Sequence, residues 1–272
     1  MRAAEWINLV ALSIFLFAAW RRHETLRARL VMSIISAVGI LAVVAVQFAN
    51  SVFSPFATSV IRDWLPAPLM LTVYWQAGRF AEKPNENFQD KLRRLDRKWI
   101  GALLRSLTNN RIFVWISIVF ELAYLSCYAL VPLGLGVLYL AHSRKYSNEY
   151  WLVILSATYP CYLFTALIPT KPPRVLETNS MPLGLGSIRN FNLWVIRRAS
   201  IHWNTFPSAH VTATLGASLV LLRHAPTVGL AFLIASIGIA IGAVTGRYHY
   251  VADIFVAAAL VLAVFGLEIL FV

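Results

Sequence analysis

An all-α, multi-pass transmembrane helical bundle is the fold class this sequence predicts, and three observations carry the prediction. Of its 272 residues, 59% are hydrophobic and only 13% are charged. The apolar residues fall in long blocks separated by short basic ones, the pattern of a chain that crosses a membrane several times. The formal net charge is +12, yet lysine and arginine sit between the apolar blocks rather than in one tract. Anionic membrane lipids are therefore the expected partners, and nucleic acid is not. Cys127 and Cys161 lie inside apolar segments at no metal-ligand spacing, so they are read as packing residues.

About eight spans are expected. The first runs from Trp6 to Trp20 and is closed by Arg21 and Arg22. A signal peptide carries its positive charge ahead of the apolar run, so this segment is read as a retained helix. With a second span from roughly Leu30 to Phe53 it makes an N-terminal transmembrane hairpin over residues 1–54. Residues 55–272 are expected to form a six-helix core. The first core span, about Pro55 to Ala77, is interrupted by Arg62, Asp63, Pro66 and Pro68, which predicts a broken or tilted helix.

An amphipathic insertion follows over 85–111. Phe88, Leu92, Leu95, Trp99, Leu103 and Leu107 recur at spacings of three and four, while Lys91, Arg93, Arg94, Arg97 and Lys98 fill the other face. Such a helix either lies along an anionic membrane surface or covers the spans with a solvated face. The span from Phe113 to about Leu140 holds Glu121 in its interior, for pairing with a neighbouring helix or for a substrate channel, and Pro132 as a kink. Another span covers Tyr150 to Ile168. The connection over 169–207 is long enough to suggest function rather than linkage. Within it Ile188, Phe191 and Val195 line one side of a short stretch read as an interfacial lid. Three spans close the chain: Pro207 to Leu222, Val228 to Val244 and Tyr248 to Val272. His23, His142 and His224 read as loop histidines at span ends, and His202 as an interfacial loop histidine or a headgroup contact.

Eight spans place nineteen basic residues in the loops of one side and five, Arg2, Arg62, Arg144, Lys145 and Arg223, on the other. By the positive-inside rule the richer side is cytoplasmic.

Two polar islands on that richer side bear the chemistry. In the first, Asn204-Thr205-Phe206-Pro207-Ser208-Ala209-His210, the residue types favour a helix start. It is either a satisfied cap with a buried histidine or an anion cradle of free N–H groups and the Ser208 hydroxyl, with His210 as proton donor. The second, Thr245-Gly246-Arg247-Tyr248-His249-Tyr250-Val251-Ala252-Asp253, stacks His249 and Asp253 on one helix face. That pair is either a polar helix contact or a carboxylate fixing the imidazole tautomer so that the other nitrogen is a nucleophile. Lys171 and Arg174, held between prolines, and Arg247 supply cations. Three cations, a helix N-terminus and two histidines suit phosphoryl transfer. With no carboxylate cluster to hold magnesium, a metal-free, cofactor-free route through a phosphohistidine is expected.

Pro207-Ser208-Ala209-His210 followed by His249-x-x-x-Asp253, with Lys171 and Arg174 upstream, resembles the type 2 phosphatidic acid phosphatase superfamily of integral-membrane lipid phosphatases and phosphotransferases. The resemblance covers about the last hundred residues in motif and the six-span core in architecture. It implies His249 as nucleophile, Asp253 as its orienting partner and His210 as general acid, with Lys171, Arg174, Ser208 and Arg247 binding phosphate. The chain departs from the family pattern in separating Lys171 from Arg174 by two residues and in carrying Gly242 and Ala243 where the family places Ser-Arg. Arg247-Tyr248-His249-Tyr250 before Asp253 resembles the branch that includes inositol phosphorylceramide synthases. Family habit often puts the site on the non-cytoplasmic face, against the charge count. The expected function is a lipid phosphatase acting on a lipid phosphate ester or diphosphate. A headgroup phosphotransferase and a non-catalytic lipid-binding or transport protein are the alternatives.

Overall fold

The computed structural model describes residues 1–21, 25–81, 83–108, 111–177, 186–201 and 203–271, and all regular structure among them is helical. His23 and His202 lie outside the described residues. The first pair is α1 (Ala3–Arg21) and α2 (Leu26–Ala45), the latter started by Thr25, whose side chain accepts the Ala28 N–H. A 3-10 turn over Val46–Ser51 extends α2. The expected broken span divides into α3 (Pro55–Trp64) and α4 (Pro66–Phe80). Pro66 is the physical cause, since it has no N–H to continue the ladder. Then come α5 (Glu86–Thr108), α6 (Arg111–Leu140), α7 (Ser147–Leu167), the single turn α8 (Pro173–Leu176) and α9 (Gly186–Ala199). The chain closes with α10 (Ala209–His224), α11 (Pro226–Thr245) and α12 (Val251–Phe271). Pro132 lies within α6, which continues through it as one helix.

Six segments are long and apolar enough to cross a bilayer: Ala3–Arg21, Leu26–Ser51, Trp115–Leu140, Arg144–Leu167, Pro226–Thr245 and Val251–Leu270. They support an integral membrane protein. The other two expected spans take different forms. One is the divided α3–α4 segment, and the other is α10, whose 16 residues rise only ~24 Å against the ~30 Å of a hydrocarbon core. Instead α10 is the central helix, packed by α6, α7, α11 and α12, and Ala213, Ala217, Thr212, Thr214 and Ser218 on it are buried. Such small side chains let neighbouring backbones approach. At the α6–α11 crossing the approach is close enough that a side chain at Gly242 would collide with the Phe120 carbonyl.

Long-range contacts gather the chain at two ends. At one, Asp63 binds Arg2 and Arg144, Trp151 donates to the Asp63 carbonyl at 2.6 Å, and Arg223 pairs with Glu268 at 2.9 Å. His224 ends α10 there, with Nε2 2.8 Å from Glu149, while His142 sits in the turn after α6. At the other end the Asn85 N–H donates to Pro169 O at 2.8 Å and the Arg174 N–H to Arg247 O at 3.0 Å. Both polar islands belong to this second end. The inner stripe of α5 also packs there: Gln89, Leu92 and Asp96 are buried, Phe88 meets Phe206 edge-on, and Lys91, Arg94, Arg97 and Lys98 face outward.

Candidate active site

His249 sits in the five-residue turn between α11 and α12. That turn is tied from several sides. The N–H groups of Tyr248 and His249 both donate to Ala243 O, at 2.8 and 2.9 Å. Arg247 adopts a left-handed φ of 59°, and its guanidinium is fastened to Asp96 at 2.7 Å and to Glu177 at 2.8 Å. Asp96 has a second task, accepting the Val251 N–H at 2.9 Å where α12 begins. Asp253 accepts the Tyr250 N–H at 2.9 Å, a buried donor at the helix start satisfied from within.

The imidazole of His249 is buried, with Nδ1 2.7 Å from the Thr205 carbonyl and 3.2 Å from Asp253 Oδ2. A carbonyl only accepts, so the Nδ1–H tautomer is selected and Nε2 carries the lone pair. Burial, opposed by the bond to Thr205 and reinforced by nearby Arg174, pushes the His249 pKa down from 6.5 to about 4. The ring is therefore neutral at physiological pH.

The first island meets this turn directly. The Ser208 N–H donates to Asp253 O at 3.3 Å, and the Ser208 hydroxyl oxygen is buried with no hydrogen-bond partner among the described residues. His210, in the first turn of α10, has its ring 6.2 Å from that of His249, centroid to centroid, at 83°. Tyr124 and Tyr128 flank it edge-on at 5.7 and 5.4 Å. Thr170 and Thr205 bond through their hydroxyls, tying the start of the long connection to the same island.

Of the expected cations, Arg174 lies closest to the histidines in effect, since its charge acts on both rings. Its guanidinium stands over the Tyr248 ring at 5.2 Å, burial lowers its pKa, and no carboxylate lies within ion-pair distance among the described residues. Arg247 differs, its charge being matched by two carboxylates. Lys171 is anchored by its main chain, its N–H to Gln89 at 2.9 Å and its carbonyl to the Tyr250 hydroxyl at 3.2 Å, with its ammonium over Trp203 at 5.1 Å.

Sequence reasoning missed Asp96, the Thr205 carbonyl and the particular partners of Glu121. Glu121 is the hub of a buried network that takes Arg189, Asn192 and the Tyr248 hydroxyl, and Tyr248 in turn stacks on Tyr124 at 4.1 Å. Glu121 thus pairs with its neighbours, as one of the two sequence readings held. This network also sets which way α9 faces: Arg189, Asn192 and Ile196 point inward, while Phe191 and Trp194 are exposed, because the carboxylate within α6 demands polar partners. The signal was an acidic residue in an apolar span near a basic amphipathic stretch. For Asp96 the signal was weaker, an acid on the apolar stripe of α5. Nothing in the residue types marked the Thr205 carbonyl.

The sequence profile of the PAP2 superfamily matches residues 90–267. The chain belongs to the PAP2 superfamily. The match starts within α5 and ends within α12, so it contains every candidate site residue and leaves α1 to α4 outside. Family membership supports an enzyme of the phosphatase or phosphotransferase type acting on lipids. No curated protein and no solved structure matches the chain.

Proposed function

We propose that the chain is a lipid phosphatase that moves a phosphoryl group through His249. The placement of the two imidazoles, 6.2 Å between centroids with Nδ1 of His249 occupied, carries the reading. His249 Nε2 attacks phosphorus, the bond to the leaving oxygen breaks, and His210 gives that oxygen its proton. His210 then takes a proton from water, whose oxygen attacks the phosphohistidine and releases inorganic phosphate. Arg174, the Ser208 hydroxyl and the N–H groups opening α10 hold the phosphate oxygens where charge spreads in the transition state. Lys171 adds a cation at the entrance. Arg247, expected to bind phosphate, serves in this reading to brace the turn through Asp96 and Glu177. Asp253 seconds Thr205 in orienting His249.

A lipid rather than a soluble phosphate is favoured by what adjoins His210. A largely apolar cavity of about 340 Å³ opens beside it between α4, α6, α7 and α10, walled by Met70, Trp75, Tyr128, Val131 and Ala213. Apolar chains fit such a wall, with the phosphate turned toward the histidines.

A second reading, a headgroup phosphotransferase with an alcohol in place of water, is favoured by Arg247-Tyr248-His249-Tyr250 before Asp253. Phosphate release from labelled lipid phosphates tests both. His249→Ala should abolish transfer to any acceptor, and sustained turnover by that variant removes the mechanism. Product formed only when an alcohol is added, without free phosphate, selects the transferase.

A further inference from the structure

The helix α5 joins two otherwise separate features. Its inner stripe reaches the functional turn and the long connection at once: Gln89 accepts the Lys171 N–H, while Asp96 holds Arg247 on one side of His249 and the Val251 N–H on the other. Its outer face exposes Lys91, Arg94, Arg97 and Lys98, with Arg93 half-buried beside Asp90. The apolar seat beneath is small, made of Leu92, Tyr250 and Ala252 with Phe88 and Phe206, and supplemented by the edge-on contact of Trp99 with Phe255. Trp99 and Leu103 are more than half exposed on the flank.

The 23 residues of α5, ~35 Å long, lie in sequence between α4 and the spanning helix α6 and pack against α12 at the site end. A cationic face flanked by exposed Trp and Leu is complementary to anionic lipid headgroups.

We propose that α5 is a clasp on the His249 turn, seated by anionic lipid headgroups of the adjoining leaflet, with Asp96 as the positioning residue that transmits the seating. Headgroups neutralise the mutual repulsion of the outer cations and press the helix onto its small apolar seat. Asp96 then keeps Arg247 and the first turn of α12 in place, and with them the His249 ring. The effect on turnover rests on the phosphoryl-transfer reading, whereas the effect on the turn does not.

The test uses the full chain in phosphatidylcholine vesicles with phosphatidylglycerol raised from none to about a third, at constant mole fraction of a lipid phosphate. Hydrogen exchange of residues 246–252 and the kinetics of phosphate release are read together. In the wild type, protection of the turn should rise about threefold or more with the anionic lipid, and kcat should rise in step while KM stays constant. Salt near 1 M should erase both responses. The surface variant Lys91→Gln/Arg94→Gln/Lys98→Gln should keep the activity seen in phosphatidylcholine and lose the response. Asp96→Asn should lose protection and kcat in every vesicle, with Asp96→Glu restoring part of both. Protection that ignores phosphatidylglycerol, or a surface variant that responds like the wild type, overturns the clasp. Lipid-dependent protection without any phosphate release would leave the clasp standing and remove the catalytic reading instead.

Discussion

At the end of the bundle remote from the two histidines, Glu5, Asp63, Glu149 and Glu268 each bind an arginine: Arg62, Arg2 with Arg144, and Arg223 for the last two. Around His210 and His249, Arg247 and Arg189 are paired with carboxylates, but the groups that face the two rings are left open. Among the described residues, Arg174 has no carboxylate within reach, the Asp253 carboxylate meets only a neutral ring and a backbone N–H, and the Ser208 hydroxyl and Asp253 Oδ1 have no partner. Glu268 also keeps one oxygen unbonded, but its other oxygen holds Arg223. The contrast separates charge that closes a structure from charge kept open for a ligand. Among the described residues Thr58 Oγ1 and Gln76 Oε1 are unbonded too, but neither adjoins an unpaired cation. Buried groups without partners cost stability, and two of them beside Arg174 and two imidazoles are what a binding function requires.

Substitutions can break this comparison. Arg174→Ala should lower phosphate release by about 10²–10³ while the apparent unfolding temperature in detergent stays within a degree or two, because no ion pair is lost. A large fall in that temperature would show Arg174 to be structural. Asp63→Asn should do the reverse. It strips one side of two ion pairs and should cost about 3 kcal/mol, the lower edge for a broken buried pair because both arginines are about a quarter exposed. Thermal unfolding reads that loss, and activity per folded molecule should be unchanged.

A finer distinction concerns Asp253. Where a carboxylate alone fixes a catalytic tautomer, its amide costs about 10⁴ in rate. Here the Thr205 carbonyl, 2.7 Å from Nδ1, holds the tautomer independently. Asp253→Asn should therefore cost only about 10–100-fold in kcat, and a loss near 10⁴ would show that Thr205 does not suffice.

The smallest expected effect is in pH dependence. With its pKa pushed down to about 4, His249 stays neutral through the range where an ordinary histidine charges. The acid limb of kcat/KM should then lie near pH 4, with no break between pH 5 and 7 attributable to His249. Stability follows the same sign. Between 4 and 6.5 the unfolded chain binds the proton that the folded one refuses, so His249 favours folding fully above 6.5 and progressively less as pH falls through about 4. His249→Ala should flatten unfolding temperature against pH in that window.

What the sequence disclosed were local features. The four-residue step from His249 to Asp253, the helix start at Ser208 and the break at Pro66 are short-range, and short-range spacing is written in the order of residues. The all-α membrane bundle was legible for the same reason. Arg247 was not, because the carboxylates that hold it are Asp96 and Glu177, 151 and 70 residues away. The inward face of α9 depended on Glu121, 68 residues away from Arg189. Thr205 acts through a main-chain carbonyl, which every residue type possesses, so no side chain announced it.

Rapid acid-free quenching of the chain with a lipid bearing labelled phosphate, followed by peptide mapping, tests the central claim most directly. The label should appear within the first turnover as an acid-labile, alkali-stable phosphoramidate on the peptide containing His249, and should vanish on chase. Continued release of phosphate with no label on that histidine, or with the label on a different side chain, would contradict it.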